Sequence, residues 1–239
     1  MVFPSPLVRG TLLRRYKRFL ADVELEDGSV VTVACPNTGS MMGLVTPGVK
    51  IWLSVSASAT RKYPHTWELI ELEQDTGPTL VGINTGHPNR VVSNAIRAGE
   101  VPELHGYSSL RNEVKYGRNS RIDILLEEEG RPPCYVEVKN VHLSRQPGRA
   151  EFPDSVTARG AKHLQELSDR AREGDRAVMF FLVQRDDARS FALAGDIDPA
   201  YAVAFKAATQ AGVEALAYCC RLTPDTISLS RRLPFTELK

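Results

Sequence analysis

The 239-residue chain lacks the apolar run of about 18 residues that a membrane-spanning helix needs, and it has no excess of charge of either sign. Its first ten residues show no basic segment followed by an apolar one, so we expect no secretory signal. Lys and Arg number 30 against 29 Asp and Glu, a net charge of +1, which excludes a uniformly basic nucleic-acid coat and an acidic disordered chain. We therefore expect a folded cytoplasmic protein without membrane association.

Cysteine is also scarce and irregularly spaced. The chain has four, Cys35, Cys134, Cys219 and the adjacent Cys220. This arrangement fits neither a disulfide framework nor a CxxC metal site, and it predicts free, buried thiols in a reducing compartment.

The first 85 residues have the pattern of a β domain. Apolar and polar residues alternate from Phe19 to Leu25, a tight turn follows at Asp27-Gly28, and further β-rich runs lie at residues 51–55, 66–70 and 79–83. Short strands at this spacing predict a five-stranded, partly open β-barrel of the OB type. An SH3-like barrel would produce much the same pattern.

The remaining residues alternate between strand and helix patterns. Helices are expected after His87 and at residues 155–173 and 199–210, and strands at 122–126, 134–138, 213–218 and 226–229. The apolar run at residues 178–183 is typical of a central strand that is buried on both faces. We predict two domains, a barrel at residues 1–85 and an α/β domain with a central mixed sheet at residues 86–239.

Three charged residues of the second domain carry the main chemical signal. Asp123 interrupts an apolar strand, and Glu137 and Lys139 are two apart on the next strand, so they point to the same face. If the strands pair, the carboxylates can bind Mg²⁺ while Lys139 orients water or stabilises charge on a phosphate. Glu113 is a third candidate carboxylate. Glu137 and Lys139 alone also fit an ordinary ion pair, but an aspartate inside an apolar strand is costly unless it is paired or coordinated.

Local clusters of basic side chains suggest contacts with a polyanion such as DNA, although the total charge is balanced. One cluster at residues 9–18 interleaves basic and aromatic side chains, which is typical of phosphate and base contacts. Solvated strand edges and helix faces explain such clusters equally well. The candidate DNA-binding residues are Arg14, Arg15, Lys17, Arg18, Arg61, Lys62, Arg145, Arg159, Lys162 and His163. Arg145 belongs to an acid-free segment at residues 138–150, which we predict to be a flexible cationic loop.

The polar loop at residues 36–43 is rich in backbone donors and small side chains, so it is able to bind an anion. It lacks the lysine and the spacing of a phosphate-binding P-loop, and an ordered turn is the simpler interpretation. A sensor that binds a small ligand at residues 37–40 is therefore a weaker functional alternative.

The order of an acidic residue, Asp123 and then Glu-x-Lys resembles the PD-(D/E)xK nuclease motif, except that Ile122 stands where that motif usually has proline. Longer motifs, in order along the chain, resemble the sugar fermentation stimulation protein A family over essentially its whole length. These motifs are RYKRFLADV at 15–23, CPNTGSM at 35–41, VGINT at 81–85, SRID at 120–123, YVEVKNV at 135–141 and FPDSVTARG at 152–160.

The family resemblance implies an N-terminal OB-like domain and a C-terminal domain similar to PD-(D/E)xK nucleases. It also implies sequence-nonspecific DNA binding and a role, with a transcription regulator as a possible partner, in the regulation of sugar (maltose) utilisation. Two hypotheses follow from the residues and the resemblance together. The chain is either a DNA-binding protein with a Mg²⁺-dependent nuclease site, in which Asp123 and Glu137 are the metal ligands, or a non-catalytic DNA-binding regulator with the same architecture.

Overall fold

The chain folds around two six-stranded sheets, which the computed structural model describes over residues 1–74, 77–116 and 120–236. The first sheet has the order β3-β2-β1-β4-β5-β6, and a parallel contact between Ala34 and Thr66 joins β3 to β5. Strands β1 to β5 therefore close into a five-stranded OB-like barrel, as predicted, and β6 extends the sheet beyond β5. The strands are β1 (Val8–Tyr16), β2 (Leu20–Leu25), β3 (Val30–Ala34), β4 (Lys50–Val55), β5 (His65–Gln74) and β6 (Gly77–Gly82).

The barrel interior is filled by the alternate residues of its strands, among them the fully buried Leu12, Ile51 and Trp67. Strand β1 needs a glycine at position 10, because a Cβ atom there would lie only 2.6 Å from Val23 Cγ1. Each strand buries one face inside the barrel. This burial explains both the alternation of apolar residues in the sequence and the closure of the barrel.

The second sheet has the order β15-β14-β12-β9-β8-β7, and a three-stranded sheet of order β10-β11-β13 stands beside it. β12 runs parallel to β9 and β14, whereas the outer pairs are antiparallel, so the six-stranded sheet is mixed. The strands are β7 (Ser109–Tyr116), β8 (Ser120–Glu127), β9 (Cys134–Val141), β10 (Leu143–Gln146), β11 (Arg149–Phe152), β12 (Arg176–Val183), β13 (Ser190–Leu193), β14 (Glu214–Leu222) and β15 (Ile227–Arg232). The helices are α1 (Pro88–Arg97), α2 (Ala158–Arg172) and α3 (Pro199–Gln210), with one 3₁₀ turn at Pro102–Leu104.

The central strand β12 is buried on both faces, as its apolar run predicts. Phe180 lies in the core that includes α1, and its neighbour Phe181 lies in the core that includes α2 and α3. The helices therefore cover opposite faces of the sheet, and the ends of β8 and β9 are enclosed between α1 and α2.

Direct contacts join the barrel to the second sheet. The Gly82 N–H, at the end of β6, donates to the Gln184 carbonyl (2.8 Å), just after β12. The Met41 N–H, in the loop between β3 and β4, donates to Asp154 Oδ2 (3.1 Å). These contacts hold the end of β6 and the loop between β3 and β4 against the residues that follow β12 and β11.

Two sequence expectations differ from the structure. Residues 138–150 are not a flexible loop, because β9 continues to Val141 and the rest forms most of the β10–β11 hairpin. Strand β7 was not predicted, since its exposed central residues conceal the alternation of an edge strand. The four cysteines are free and buried, as predicted. In the described parts of the chain, no helix is long and apolar enough to cross a membrane.

Asp198 is a buried capping residue whose loss we expect to destabilise the fold. Its side chain accepts the Tyr201 N–H at the start of α3 (2.9 Å) and the Thr157 N–H just before α2 (2.7 Å). Because Asp198→Ala removes a helix cap and leaves a second donor unpaired, we expect a loss of about 2–3 kcal/mol in the free energy of unfolding. Urea denaturation measures this loss.

The matched control is Asp198→Asn, whose amide oxygen still caps α3 and whose loss should be smaller. An alanine variant as stable as the unmodified protein would show that the two N–H groups do not depend on Asp198.

Candidate functional site

Asp123 occupies the point where the β8–β9 ladder stops. The strands pair from Leu126 to Ile124, and beyond that point the Val138 N–H donates to Asp123 Oδ2 (2.7 Å) instead of to a main-chain carbonyl. A carboxylate can replace a backbone acceptor in this way because its charged oxygens accept N–H groups strongly. This exchange explains how an aspartate is accommodated within an apolar strand.

Glu137 and Lys139 lie on the same face of β9, and helix α2 closes the site over them. Lys139 Nζ donates to Glu137 Oε1 (2.8 Å). His163, from α2, contacts the same oxygen through Nδ1. Glu137 is 2% exposed, and its second oxygen, Oε2, has no hydrogen-bond partner among the described residues. The site therefore contains a buried carboxylate oxygen with unused acceptor capacity.

The two buried carboxylates differ in their electrostatics. Burial, and next the charge of Glu137, raise the pKa of Asp123 to about 6. Burial also acts to raise the pKa of Glu137, but the His163 hydrogen bond and the charge of Lys139 outweigh it, so that this pKa is lowered. Glu137 therefore remains ionised, and Asp123 is the carboxylate that gains a proton first.

Asn89, in the first turn of α1, connects the remaining carboxylate to the site. Its Nδ2 donates to Asp123 Oδ1 (2.8 Å) and to Glu113 Oε1 (3.0 Å). Glu113 lies between Asn112 and Val114, which pair with Ile124 and Ile122 of β8, and its φ of +54° places it in the left-handed region. Asn89 is not among the site residues that the sequence patterns predict.

One polar cavity of about 320 Å³ is lined by Asn89, Asp123, Glu137, Lys139 and His163, whereas Glu113 is not among its lining residues. Helix α2 contributes its N-terminal turn, in which the Thr157 hydroxyl accepts the Gly160 N–H (3.1 Å), and Arg159 Nε donates to His163 Nε2 (3.3 Å). The walls include Thr85, Asn89, Asp123, Glu137, Arg159 and His163. The carboxylates on one side of the cavity can bind a cation, and the cationic end of α2 on the other side can bind a phosphate next to it.

The side chains of the site fit a hard cation that keeps part of its water shell, rather than a metal whose ligands all come from the protein. Over the residues that the structure describes, no group of three or more His, Cys, Asp and Glu side chains is arranged to hold a metal ion. Mg²⁺ needs only one or two carboxylates because it retains several waters. Asp123 and the unpartnered Glu137 Oε2 provide that chemistry.

Of the other predicted site residues, neither Lys162 nor Arg145 is among those that line the cavity. Lys162 is exposed on α2 and its Nζ donates to Ser120 Oγ (3.3 Å). Arg145, in the β10–β11 hairpin, is paired with Glu151 (2.9 Å) and Asp196 (2.5 Å). The structure therefore does not bring Arg145 into the carboxylate cavity.

Four of the basic residues predicted to bind DNA lie at or beside the β1–β2 turn, at one end of the barrel. Lys17 and Arg18 form the β1–β2 turn, and Arg14 is paired with Asp22 (2.8 Å). Arg15 donates to the Asn37 carbonyl (2.8 Å), and Arg18 donates to the Thr38 carbonyl (2.7 Å). Of the four side chains in this segment that are predicted to contact phosphate, Arg15 and Arg18 thus also hold the neighbouring loop.

Arg61 and Lys62 are placed near the same end. Arg61 Nη2 donates to Thr66 Oγ1 (2.9 Å). Thr66 pairs with Ala34, and Ala34 pairs with Leu20 next to the β1–β2 turn. Lys62 packs over the Tyr63 ring, with Nζ 5.4 Å from the ring centroid. The tertiary structure therefore brings the two cationic segments of the barrel together.

The loop at residues 36–43 is an ordered connection in which several donors are engaged, whereas the buried Asn37 Nδ2 has no hydrogen-bond partner among the described residues. The Gly39 N–H donates to Asn37 Oδ1 (2.8 Å), and the Met41 N–H donates to Asp154. Thr85 Oγ1, from the cavity wall, donates to the Pro36 carbonyl (2.7 Å). The loop therefore links the cationic barrel end to the carboxylate cavity.

Comparison with known proteins identifies relatives that match both parts of this chain. Residues 13–83 match the family model of the SfsA N-terminal OB domain, and residues 86–226 match that of the sugar fermentation stimulation protein RE domain. Two curated proteins named sugar fermentation stimulation protein homolog are each 56% identical. The one from Azorhizobium caulinodans aligns over 98% of this chain and 99% of the relative, and the one from Agrobacterium fabrum over 99% and 98%. A solved structure described as Pyrococcus furiosus SfsA in complex with Ca²⁺ is similar with a TM-score of 0.86 at 27% identity, covering 99% of this chain and 98% of that one.

The raised pKa of Asp123 makes stability depend on pH. The folded protein holds this proton up to a pH of about 6, above the ordinary value of 3.8, so the free energy of unfolding falls as pH rises between these values. Asp123→Asn removes the titrating group. With chelator present, we expect the stability of the variant relative to the unmodified protein to increase by about 2 kcal/mol from pH 4.5 to pH 7.5.

Urea denaturation at the two pH values measures this change, with Asp169→Asn on the exposed face of α2 as the control. A stability difference for Asp123→Asn that is independent of pH would contradict the assigned electrostatics.

Proposed function

We propose that this chain, which belongs to the sugar fermentation stimulation protein family, binds DNA and cleaves phosphodiester bonds with a divalent cation held by Asp123 and Glu137. The observation that carries the proposal is the meeting of these carboxylates with Lys139 in one cavity, where Glu137 Oε2 is buried and unpartnered. The Ca²⁺ complex of the similar Pyrococcus furiosus protein supports a divalent cation in this fold.

The chain's own residues have distinct roles in this proposal. When bound, Mg²⁺ would supply Lewis-acid stabilisation of charge on the phosphate. Lys139 Nζ, 2.8 Å from Glu137 Oε1, stands next to the cation ligands and can hold a water or stabilise a developing negative charge. Arg159 and the N-terminal turn of α2 bind phosphate on the opposite wall, and Asn89 keeps Glu113 and Asp123 in place.

Nucleic acid is the proposed substrate because cationic groups continue from the cavity along the barrel. Arg18 holds the loop that contains Thr38, and this loop contacts Thr85 of the cavity wall. Phe19, beside the β1–β2 turn, is 51% exposed and offers an aromatic face to a base. Contacts of this kind read the phosphate backbone and not the sequence, which agrees with nonspecific binding.

A non-catalytic DNA-binding regulator is the second candidate, and one observation favours it. Glu137 Oε1 already accepts from Lys139 and contacts His163, so half of this carboxylate is satisfied without a cation. A role in the regulation of sugar (maltose) utilisation, with or without a partner transcription regulator, rests on the family relationship. The name of the family describes fermentation and no reaction.

Loss of the Lys139 ammonium should remove cleavage. We expect the protein with Mg²⁺ or Mn²⁺ to cut at least one of single-stranded DNA, double-stranded DNA and RNA, and Lys139→Ala to cut it about 100-fold more slowly because charge stabilisation is lost. Lys206→Ala, at an exposed position of α3, is the control and should retain full activity.

Equal cleavage by the unmodified protein and Lys139→Ala would reveal a contaminating nuclease. Retained DNA binding without cleavage of any substrate would favour the regulator.

Salt dependence tests whether α2 contacts phosphate. We expect the double variant Arg159→Gln and Lys162→Gln to reduce the slope of log affinity against log salt by roughly 2, because each lost phosphate contact removes about 0.9. Arg172→Gln, an exposed position at the other end of α2, is the matched control. A slope unchanged in the double variant would place the DNA away from the cavity.

A further inference from the structure

Glu68 is a charged residue of the barrel that is buried at the connection to the second sheet. It lies in β5 and is 4% exposed. One oxygen accepts from Ser54 Oγ (2.6 Å) within the barrel. The other accepts from Asn84 Nδ2 (2.7 Å) and lies 2.7 Å from His87 Nε2, both in the connecting segment. A buried carboxylate is costly without such partners, so these contacts hold the segment firmly.

The contacts of Glu68 are those of an ionised group. Burial acts to raise the pKa of Glu68, but hydrogen bonds from His87 and Ser54 outweigh it and the pKa is lowered. Charge-assisted hydrogen bonds are stronger than neutral ones. The connecting segment is therefore attached to the barrel by a charged anchor and is not a free linker.

The anchored segment leads directly into the carboxylate cavity. Asn84 Oδ1 accepts the Gly86 N–H (2.9 Å) and forms a turn, and Pro88 begins α1. The next residue is Asn89, whose amide donates to Asp123 and Glu113. Only one residue, Pro88, thus separates the residue that contacts the barrel, His87, from the residue that contacts a candidate cation ligand, Asn89.

We propose that Glu68 and Asn89 are positioning residues of the cation site, so that the barrel, through residues 84–89, sets the affinity of the second domain for a divalent cation. The inference rests on the proposed cation site at Asp123 and Glu137. Asn89 acts on Asp123 directly, since its Nδ2 lies 2.8 Å from Oδ1. Glu68 contacts Asn84 and His87 of the segment that leads to Asn89, so we expect its effect to pass through that residue.

The test is calorimetric titration of the full chain with Mg²⁺ and with Ca²⁺, without nucleic acid. Groups that orient a metal ligand typically contribute 10- to 100-fold in affinity, so we expect Asn89→Ala to weaken binding by about 10-fold. Glu68→Gln should weaken binding by about 3- to 10-fold. The double variant should bind no more weakly than Asn89→Ala alone, because two residues on one route are not additive.

Ser54→Ala is the matched control, since it removes a hydrogen bond from the same Glu68 carboxylate but leaves both contacts with residues 84–89. We expect its cation affinity to equal that of the unmodified protein while its melting temperature falls. His87→Gln replaces Glu68→Gln if the latter does not fold, and it should weaken binding in the same direction.

Cation binding by Glu68→Gln and Asn89→Ala equal to that of the unmodified protein would overturn this inference and leave the proposed function intact. Additive losses in the double variant would overturn the route from Glu68 through Asn89. Absence of cation binding in the unmodified protein would overturn both proposals.

Discussion

The hydrogen bond from the Val138 N–H to Asp123 Oδ2 is the interaction on which the site depends. It replaces a main-chain bond of the β8–β9 ladder, so it fixes a carboxylate at the point where the two strands separate. The same separation leaves room for Glu137 and Lys139 to face the cavity. Because the Asp123 carboxylate takes the place of a main-chain acceptor in the sheet, its position in the site is fixed.

Burial then determines the chemistry of the two carboxylates. Glu137 is buried and Asp123 is half-buried, so water screens their repulsion only weakly. Lys139 donates to one oxygen of Glu137 and His163 contacts the same oxygen, whereas Asp123 has only neutral donors beside it. Burial, and next the negative charge of Glu137, raise the pKa of Asp123. The same two carboxylates provide the affinity for a divalent cation that we propose.

The residues gathered in the cavity come from distant parts of the sequence. The pairing of the strands that carry Asp123 and Glu137 was predictable, because each strand has its own apolar pattern and a polar turn joins them. His163 was recognised as a polar residue of an amphipathic helix, but its contact with Glu137 depends on how α2 packs on the sheet. Asn89 had no distinguishing pattern, since an asparagine beside a proline is common at the start of a helix.

The sequence by itself determined the two-part architecture, the central strand at residues 178–183 and the meeting of Asp123, Glu137 and Lys139, because periodicity reports which face of a strand is buried. Only the tertiary structure decided which charges remain available. Arg145 is paired with Glu151 and Asp196, and Arg15 and Arg18 hold a loop. Pairing between charges depends on distances of a few ångströms between segments far apart in the chain, and a linear pattern carries no such information.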